Sequence, residues 1–417
     1  MNRRSFLIST AAAGGSLILR RSAMGQGLSP AVQSSAASEQ SAAIRVAASR
    51  FVRTLASERQ ARIIYPFPSN ETPTMAKFTR KGGPGGPGRS GDSGAPAGPE
   101  SFGTGPLGGP GDPGSHGGPG GPGGPGGPGD FGFVGEKYGQ SIWSNFPVSD
   151  VPRPGLRMGE LTVAERNAAH GLLKTVLSPR GYQKVLDVMA ADQELDDEGT
   201  PYASGYDAYT FALFGQPAPS SPWMLQFGGH HLGLNVTFVG DKAVCAPLHT
   251  GILPSKFVKN GKTIRGLGRE NDKAFDLVAT LTSDQLKAAT IDHDVSDLVF
   301  GPGHPDAKLA PAGLRGSDMS EQQRTILFSL ASEWAGILND THSAERLEEI
   351  RHSLPDTRFA WSGPTTHEPD MNGESYFRLH GPSLLIEHAP QGNQGGYKLH
   401  VHTVMRDLGN DYAKQLI

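Results

Sequence analysis

Two pairs of histidines, His230-His231 and His400-x-His402, are the residues of this chain best placed to do chemistry. On a strand, positions i and i+2 face the same way, so His400 and His402 can present both imidazoles to one ion. Further ligands must then come from elsewhere in the chain. His231 falls on the Asn235 and Thr237 side of the strand that follows it. His230 falls on the Leu232 and Leu234 side, where a hydrogen-bonded core histidine is an equal reading. Glu387 is the carboxylate candidate: in one hairpin register it stands opposite His400, and in the register one residue away Ile386 does. Imidazoles with one carboxylate suit a divalent transition metal, with zinc or copper the easiest to acquire. The single cysteine, Cys245, excludes a thiolate site, and its apolar surroundings in AVCAP read as a small buried hydrophobe.

Other polar groups are candidates of a weaker kind. Arg378, Arg406 and Asp407 flank the C-terminal strands and are the candidate catalytic residues, although Arg406 and Asp407 read more simply as an ion pair with each other or with nearby loops. Trp143, Asn145, Trp223 and Gln226 sit beside Pro and Gly, where aromatic and amide groups line pockets. The acidic run Asp192, Glu194, Asp196, Asp197 and Glu198 lacks the glycine and spacing of a calcium loop and reads as a solvated loop. IDHDVSD at 291–297 is ambiguous. There is no G-x-S-x-G, H-E-x-x-H or phosphate loop, and the G-x-G-x-x-G at Gly83, Gly85 and Gly88 arises from composition alone.

The elements that must carry these residues follow from periodicity. Apolar positions at helical spacing predict helices over 38–56, 160–176, 178–192, 273–281, 283–289, 318–338 and 343–351. Alternation of Leu232, Leu234, Val236 and Phe238 with smaller or polar residues, then a Gly240-Asp241 turn, predicts a hairpin. RFAWSG, SYFRLHGPSLLIEH and KLHVHTVMRD return the chain to strands. Helices first and strands last imply an α+β fold: a helical N-terminal part with a largely antiparallel sheet carrying the histidine motifs.

The chain has 417 residues and a net charge of -3, which gives no footprint for nucleic acid or an anionic membrane. Residues 82–129 hold 23 Gly and 11 Pro and have too little apolar surface to fold, so they are expected to be a disordered insertion. Residues 39–69 and 141–417 on either side form the expected single globular domain. The first 25 residues, with Arg3-Arg4-Ser5-Phe6-Leu7 and a short apolar run to Leu19, resemble a twin-arginine (Tat) export signal, too short and too glycine-broken to span a bilayer. A periplasmic or secreted protein with no transmembrane span in its mature chain is expected.

The strings WSNFP, RPGLRMGELT, LSPRGYQKVL, SPWMLQFGGHHLGLN, FAWSG, SYFRLHGPSLLIEH and HVHTVMRDLGNDY, in that order, resemble the family known as domain of unknown function 3500. The resemblance runs from about Gln40 to Asp411, interrupted by the Gly/Pro tract. It implies that the Gly229–Leu232 and His400–Asp407 blocks belong to one domain, and it assigns no catalytic role. The function expected on these grounds is a metal-dependent enzyme, with hydrolysis slightly favoured over oxidation. The alternative is a non-catalytic periplasmic binding or structural protein whose histidines are satisfied by hydrogen bonds.

Overall fold

The computed structural model describes residues 30–79, 132–200, 205–304, 309–393 and 399–417. The expected leader (1–25) and the Gly/Pro tract (82–129) lie outside the described residues. Helix α1 (Pro30–Thr54) buries Ile44, Ala48 and Phe51, the stripe that its spacing predicts. Helix α2 (Val163–Val176) starts where Thr162 and Glu165 exchange side-chain-to-backbone hydrogen bonds, a capping box. Ser178 caps α3 (Pro179–Asp197), with proline in the first turn, where a missing N–H costs nothing. Helices α4 (Gly268–Ala279), α5 (Glu321–Ala335) and α6 (Asp340–Ser353) complete the longer set.

Helix α3 corrects the reading of the acidic run. The run is helical through Asp197, and Asp192 lies on the buried stripe with Val185, Val188, Met189 and Leu195. Three- and four-residue steps from Val185 and Val188 carry Asp192 inward, whereas its acidic neighbours Asp196 and Asp197 fall on exposed positions.

Eleven strands form one sheet. Its body is β1 (Thr210–Phe214), β2 (Trp223–Gly228), β3 (Leu232–Val239), β4 (Lys242–Ile252), β5 (Arg358–Ser362), β6 (Tyr376–His380), β7 (Leu384–Asn393) and β8 (Leu399–Asp407). These lie in the order β1-β2-β3-β4-β8-β7-β6-β5, every neighbour antiparallel. Short strands extend both edges: Leu156–Arg157 and the parallel Ile64–Tyr65 beside β1, and Leu314–Arg315 beside β5. The fold is thus α+β with a mostly antiparallel sheet. A separate antiparallel sheet pairs Thr74–Thr79 with Gly132–Tyr138, and Gly132–Tyr138 with Ser141–Trp143, so ordered backbone reaches closer to the Gly/Pro tract than positions 69 and 141.

The large sheet reads the same from either edge. Gly155-Leu156-Arg157 and Gly313-Leu314-Arg315 each lead through a 3-10 turn into a helix capped by a box, Thr162/Glu165 or Ser320/Gln323. A second helix follows, capped by Ser178 or Asn339, and then a four-strand meander. Gly155 and Gly313 share left-handed backbone, φ 101° and 100°. The two meanders meet at β4 and β8, where Leu248 pairs with Met405. Leu248 pairs on its other side with Leu234, as Met405 does with Ile386, so a pseudo-twofold axis passes through the Leu248–Met405 pair.

One face of the sheet packs its Leu232, Leu234, Val236, Leu379, Leu384, Ile386 and Met405 against the helices. Burial of this face against α2, α3, α5 and their neighbours is the main source of stability. The opposite face carries Leu385 and Val404 under Trp143 and Phe300, and it is on this face that the histidines gather.

Candidate metal centre

His400 and His402 project from the start of β8 on one side, their ring centroids 4.4 Å apart. His230 and His231 occupy the turn between β2 and β3, their rings stacked at 3.8 Å. Gly229 N closes this turn on Leu232 O (3.0 Å), and Gly251 N on β4 donates to His231 O (2.7 Å). Arg153 holds it from outside, its Nη2 donating to Gly229 O (3.1 Å) and to Ser144 and Phe146 carbonyls (both 2.8 Å). Burial lowers the half-buried Arg153 guanidinium to about 9.

Across the sheet the two histidine blocks meet. His231 Nε2 lies 3.0 Å from His400 Nε2, and its ring centroid lies 5.5 Å from that of His402. His231, His400 and His402 each offer a ligand atom within 4.8 Å of the others, a spacing able to hold a metal ion. Gly251 makes room for them: a Cβ there would stand 3.0 Å from both His231 Cδ2 and His402 Cδ2. A second group with the same property, Asp192, His230 and His231, shares His231 with the first.

The electrostatics favour ligands over charged groups. Burial, followed by the charge of neighbouring rings, pushes His230, His231 and His400 well below the usual imidazole range. These rings are therefore neutral at neutral pH, the form that binds metal without first losing a proton. His402 has its Nδ1 3.0 Å from Asp297 Oδ1 and 3.2 Å from Asn145 Nδ2. Asn145 also donates to Asp297 Oδ2 (3.2 Å). Burial would raise the Asp297 carboxyl, but the His402 ring beside it and the Leu298 N–H hold it down at about 2. This carboxylate fixes the proton on His402 Nδ1 and leaves Nε2, buried and without a hydrogen-bond partner, to the centre. The cluster opens on the side of half-buried His400 and of Asp297, whose side chain is 42% exposed.

His249 on β4 flanks the cluster, its ring 5.6 Å from His402 and stacked on Trp143. Its Nδ1 bonds Thr403 O (2.9 Å), and burial lowers it to about 3. Asp192 is wholly buried, neither oxygen has a hydrogen-bond partner, and burial raises it to about 8.

Glu387 is not among these groups. The observed register sets it opposite Val404, with Ala389 opposite His402, so neither expected hairpin register holds. The two strands go on pairing up to Asn393 opposite Leu399, which moves every pair toward the carboxyl end of β8, and the irregularity between Pro390 and Asn393 changes the register by a single residue. The Glu387 carboxylate accepts from Phe300 N (2.7 Å), Val299 N (3.2 Å) and Tyr376 OH (2.7 Å). It anchors the loop whose first residue here is Asp297.

The three catalytic candidates are likewise engaged away from the histidines. Arg406 does not pair with Asp407; successive strand residues point to opposite faces. Arg406 instead meets Glu136 (2.6 Å) and Asp411 (3.0 Å), fully buried, while Asp407 meets Arg346 (3.2 Å). Arg378 is the cross-strand partner of Glu387, and its Nη1 lies 3.4 Å from Tyr376 OH. Trp223 stacks on Phe238 and Gln226 bonds Asn235, both within the sheet. Cys245 is buried, its thiol raised to about 12 by burial, which suits an inert packing role.

Fold and site together define an α+β protein with a largely buried histidine triad, and an adjoining Asp-His-His group, able to hold a metal. The chain belongs to the family described as protein of unknown function (DUF3500), whose profile matches residues 134–414. The match begins after the Gly/Pro tract, so the resemblance upstream of the tract, from about Gln40, lies outside it. No curated protein and no solved structure matches the chain. Among the described residues no helix is long and apolar enough to cross a membrane.

Proposed function

We propose that this protein is a Tat-exported, metal-dependent enzyme, with hydrolysis favoured over oxidation. The observation that carries the reading is the meeting of His231 with His400 and His402, residues 169 positions apart in the case of His231 and His400. Histidines on a solvated face have no reason to converge at that separation. Imidazole donors with an orienting carboxylate suit zinc or copper. A divalent ion held there supplies Lewis acidity, which is all that hydrolysis requires of it and less than oxidation does. His402 is turned by Asp297, His231 is fixed through its backbone to Gly251, and His400 faces the open side, where a substrate would approach.

The test is metal content of the purified full chain after chelation and reloading with zinc or copper. A His400→Ala/His402→Ala variant is expected to lose an ion that the parent retains. Less than about 0.2 equivalents in the parent would overturn the reading, because a preformed set of neutral ligands binds without a folding cost. Loaded and stripped protein are then compared on ester, phosphoester and peptide substrates. Loading without any gain in turnover favours a binding protein instead. Export is tested by fractionation, where Arg3→Lys/Arg4→Lys should retain the chain in the cytoplasm.

A further inference from the structure

We propose that Asp192 and His230 hold a second divalent cation beside the first, with His231 common to both positions. The inference rests on the reading of His231, His400 and His402 as a metal site and extends it to a two-ion centre. Three observations carry it.

Asp192 is the first. It is fully buried on α3, and both of its carboxylate oxygens lack a hydrogen-bond partner. An ionised carboxylate in that state is very costly to bury, and a protonated one would still need an acceptor for its O–H. Neither form is satisfied by the residues around it. A cation satisfies the carboxylate directly.

The second is spacing. Asp192 Oδ1 stands 3.7 Å from His230 Nδ1, too far for a hydrogen bond. Two ligands of one zinc ion, each bonded at about 2.0–2.2 Å in a tetrahedral set, stand roughly 3.3–3.6 Å apart. The observed gap is close to that span. Asp192, His230 and His231 together keep their ligand atoms within 4.8 Å of one another.

The third is His231 itself, which belongs to both triads. One ring nitrogen, Nε2, lies 3.0 Å from His400 Nε2, and the other, Nδ1, is buried with no hydrogen-bond partner. Each nitrogen can thus serve one position, the ring releasing its proton to solvent when both are filled.

The experiment is a zinc titration of the chelator-stripped full chain, read by native mass spectrometry and by elemental analysis. Two equivalents are expected in the parent and one in Asp192→Asn, which keeps the side-chain shape. His230→Gln is the second variant should Asp192→Asn fold poorly by circular dichroism. One equivalent in the parent, or the same two in both variants, overturns the second position and leaves the one-ion reading standing. No zinc in the parent overturns both.

Discussion

His402 and Asp297 are joined by a 3.0 Å contact between Nδ1 and Oδ1, and that contact decides which nitrogen of His402 faces His231. The carboxylate comes from a loop 105 residues away in sequence, itself pinned by Glu387 through Val299 and Phe300. Ring orientation in the centre is thus set by two successive carboxylates.

Replacing Asp297 by Ala should therefore weaken zinc binding by about 10- to 100-fold, the usual effect of losing a carboxylate behind a ligating histidine. The melting temperature should fall modestly, since the carboxylate held down by His402 and the Leu298 N–H also stabilises the fold, an effect that the 42% exposure of its side chain screens in part. Competition titration against a zinc chelator reads the first quantity and thermal unfolding the second.

Gly251→Ala tests the packing of the rings. The new methyl would stand 3.0 Å from both His231 Cδ2 and His402 Cδ2, and 3.1 Å from Val401 O. Overpacking of this kind costs about 1–3 kcal/mol in urea unfolding, and spreading the rings should reduce zinc affinity in the same protein. Unchanged affinity would mean that the rings have slack that their spacing does not show.

Arg406→Ala leaves Glu136 buried beside Tyr412 OH with its charge uncompensated. Breaking such a pair costs about 3–5 kcal/mol, so a large fall in the urea midpoint is expected. The double replacement Glu136→Gln/Arg406→Met should recover part of it, because no lone charge remains.

Acid stability should reflect Glu333. Burial would raise its carboxyl, but hydrogen bonds from Arg269 and Lys273 and the charge of Lys184 hold it at about 2 against an ordinary 4.5. Because the folded value lies below the unfolded one, the contribution is complete above about 4.5 and is lost as pH falls toward about 2. Screening through the exposed Arg269 side chain, 54% accessible, keeps it to roughly 1–2 kcal/mol. Unfolding free energy measured from pH 7 to pH 2 should fall less steeply in Glu333→Gln than in the parent.

The convergence of the histidines was legible in part from sequence. The i, i+2 spacing at 400–402 placed two rings on one side, and alternation after His231 put it on the face that now carries Gly233 and His249. Glu387 was misplaced because the strands go on pairing as far as Asn393 opposite Leu399, and where a hairpin turns is not encoded by alternation alone. Asp192 was passed over because it stands in an acidic run; its three-residue step from Met189, on the apolar stripe of α3, was the available signal. Asp297 and Asn145 come from loops, whose course depends on tertiary contacts such as Arg153 with Ser144 and Phe146. The repeated Gly-Leu-Arg with its capped helix, at 155–166 and 313–324, was visible in the sequence as well, but too diverged to stand out from ordinary capping signals.

The symmetry about Leu248 and Met405 bears on how such a site could arise. A chain with only one of the two halves could complete the same sheet by pairing its last strand with that of an identical molecule, since an antiparallel seam is self-complementary. Each such homodimer would carry every seam-spanning site twice, once per protomer pair of faces. Fusion of the two copies releases that constraint. At the turn matching Gly229-His230-His231-Leu232, the second half reads Gly381-Pro382-Ser383-Leu384, with Gly381 N closing on Leu384 O (2.7 Å) as Gly229 N does on Leu232 O. The backbone turn is shared, and the second half carries no imidazole there. In the second half Ser383 of this turn accepts from Arg346 (3.1 Å), and the histidine cluster is built at the turn of the first half alone.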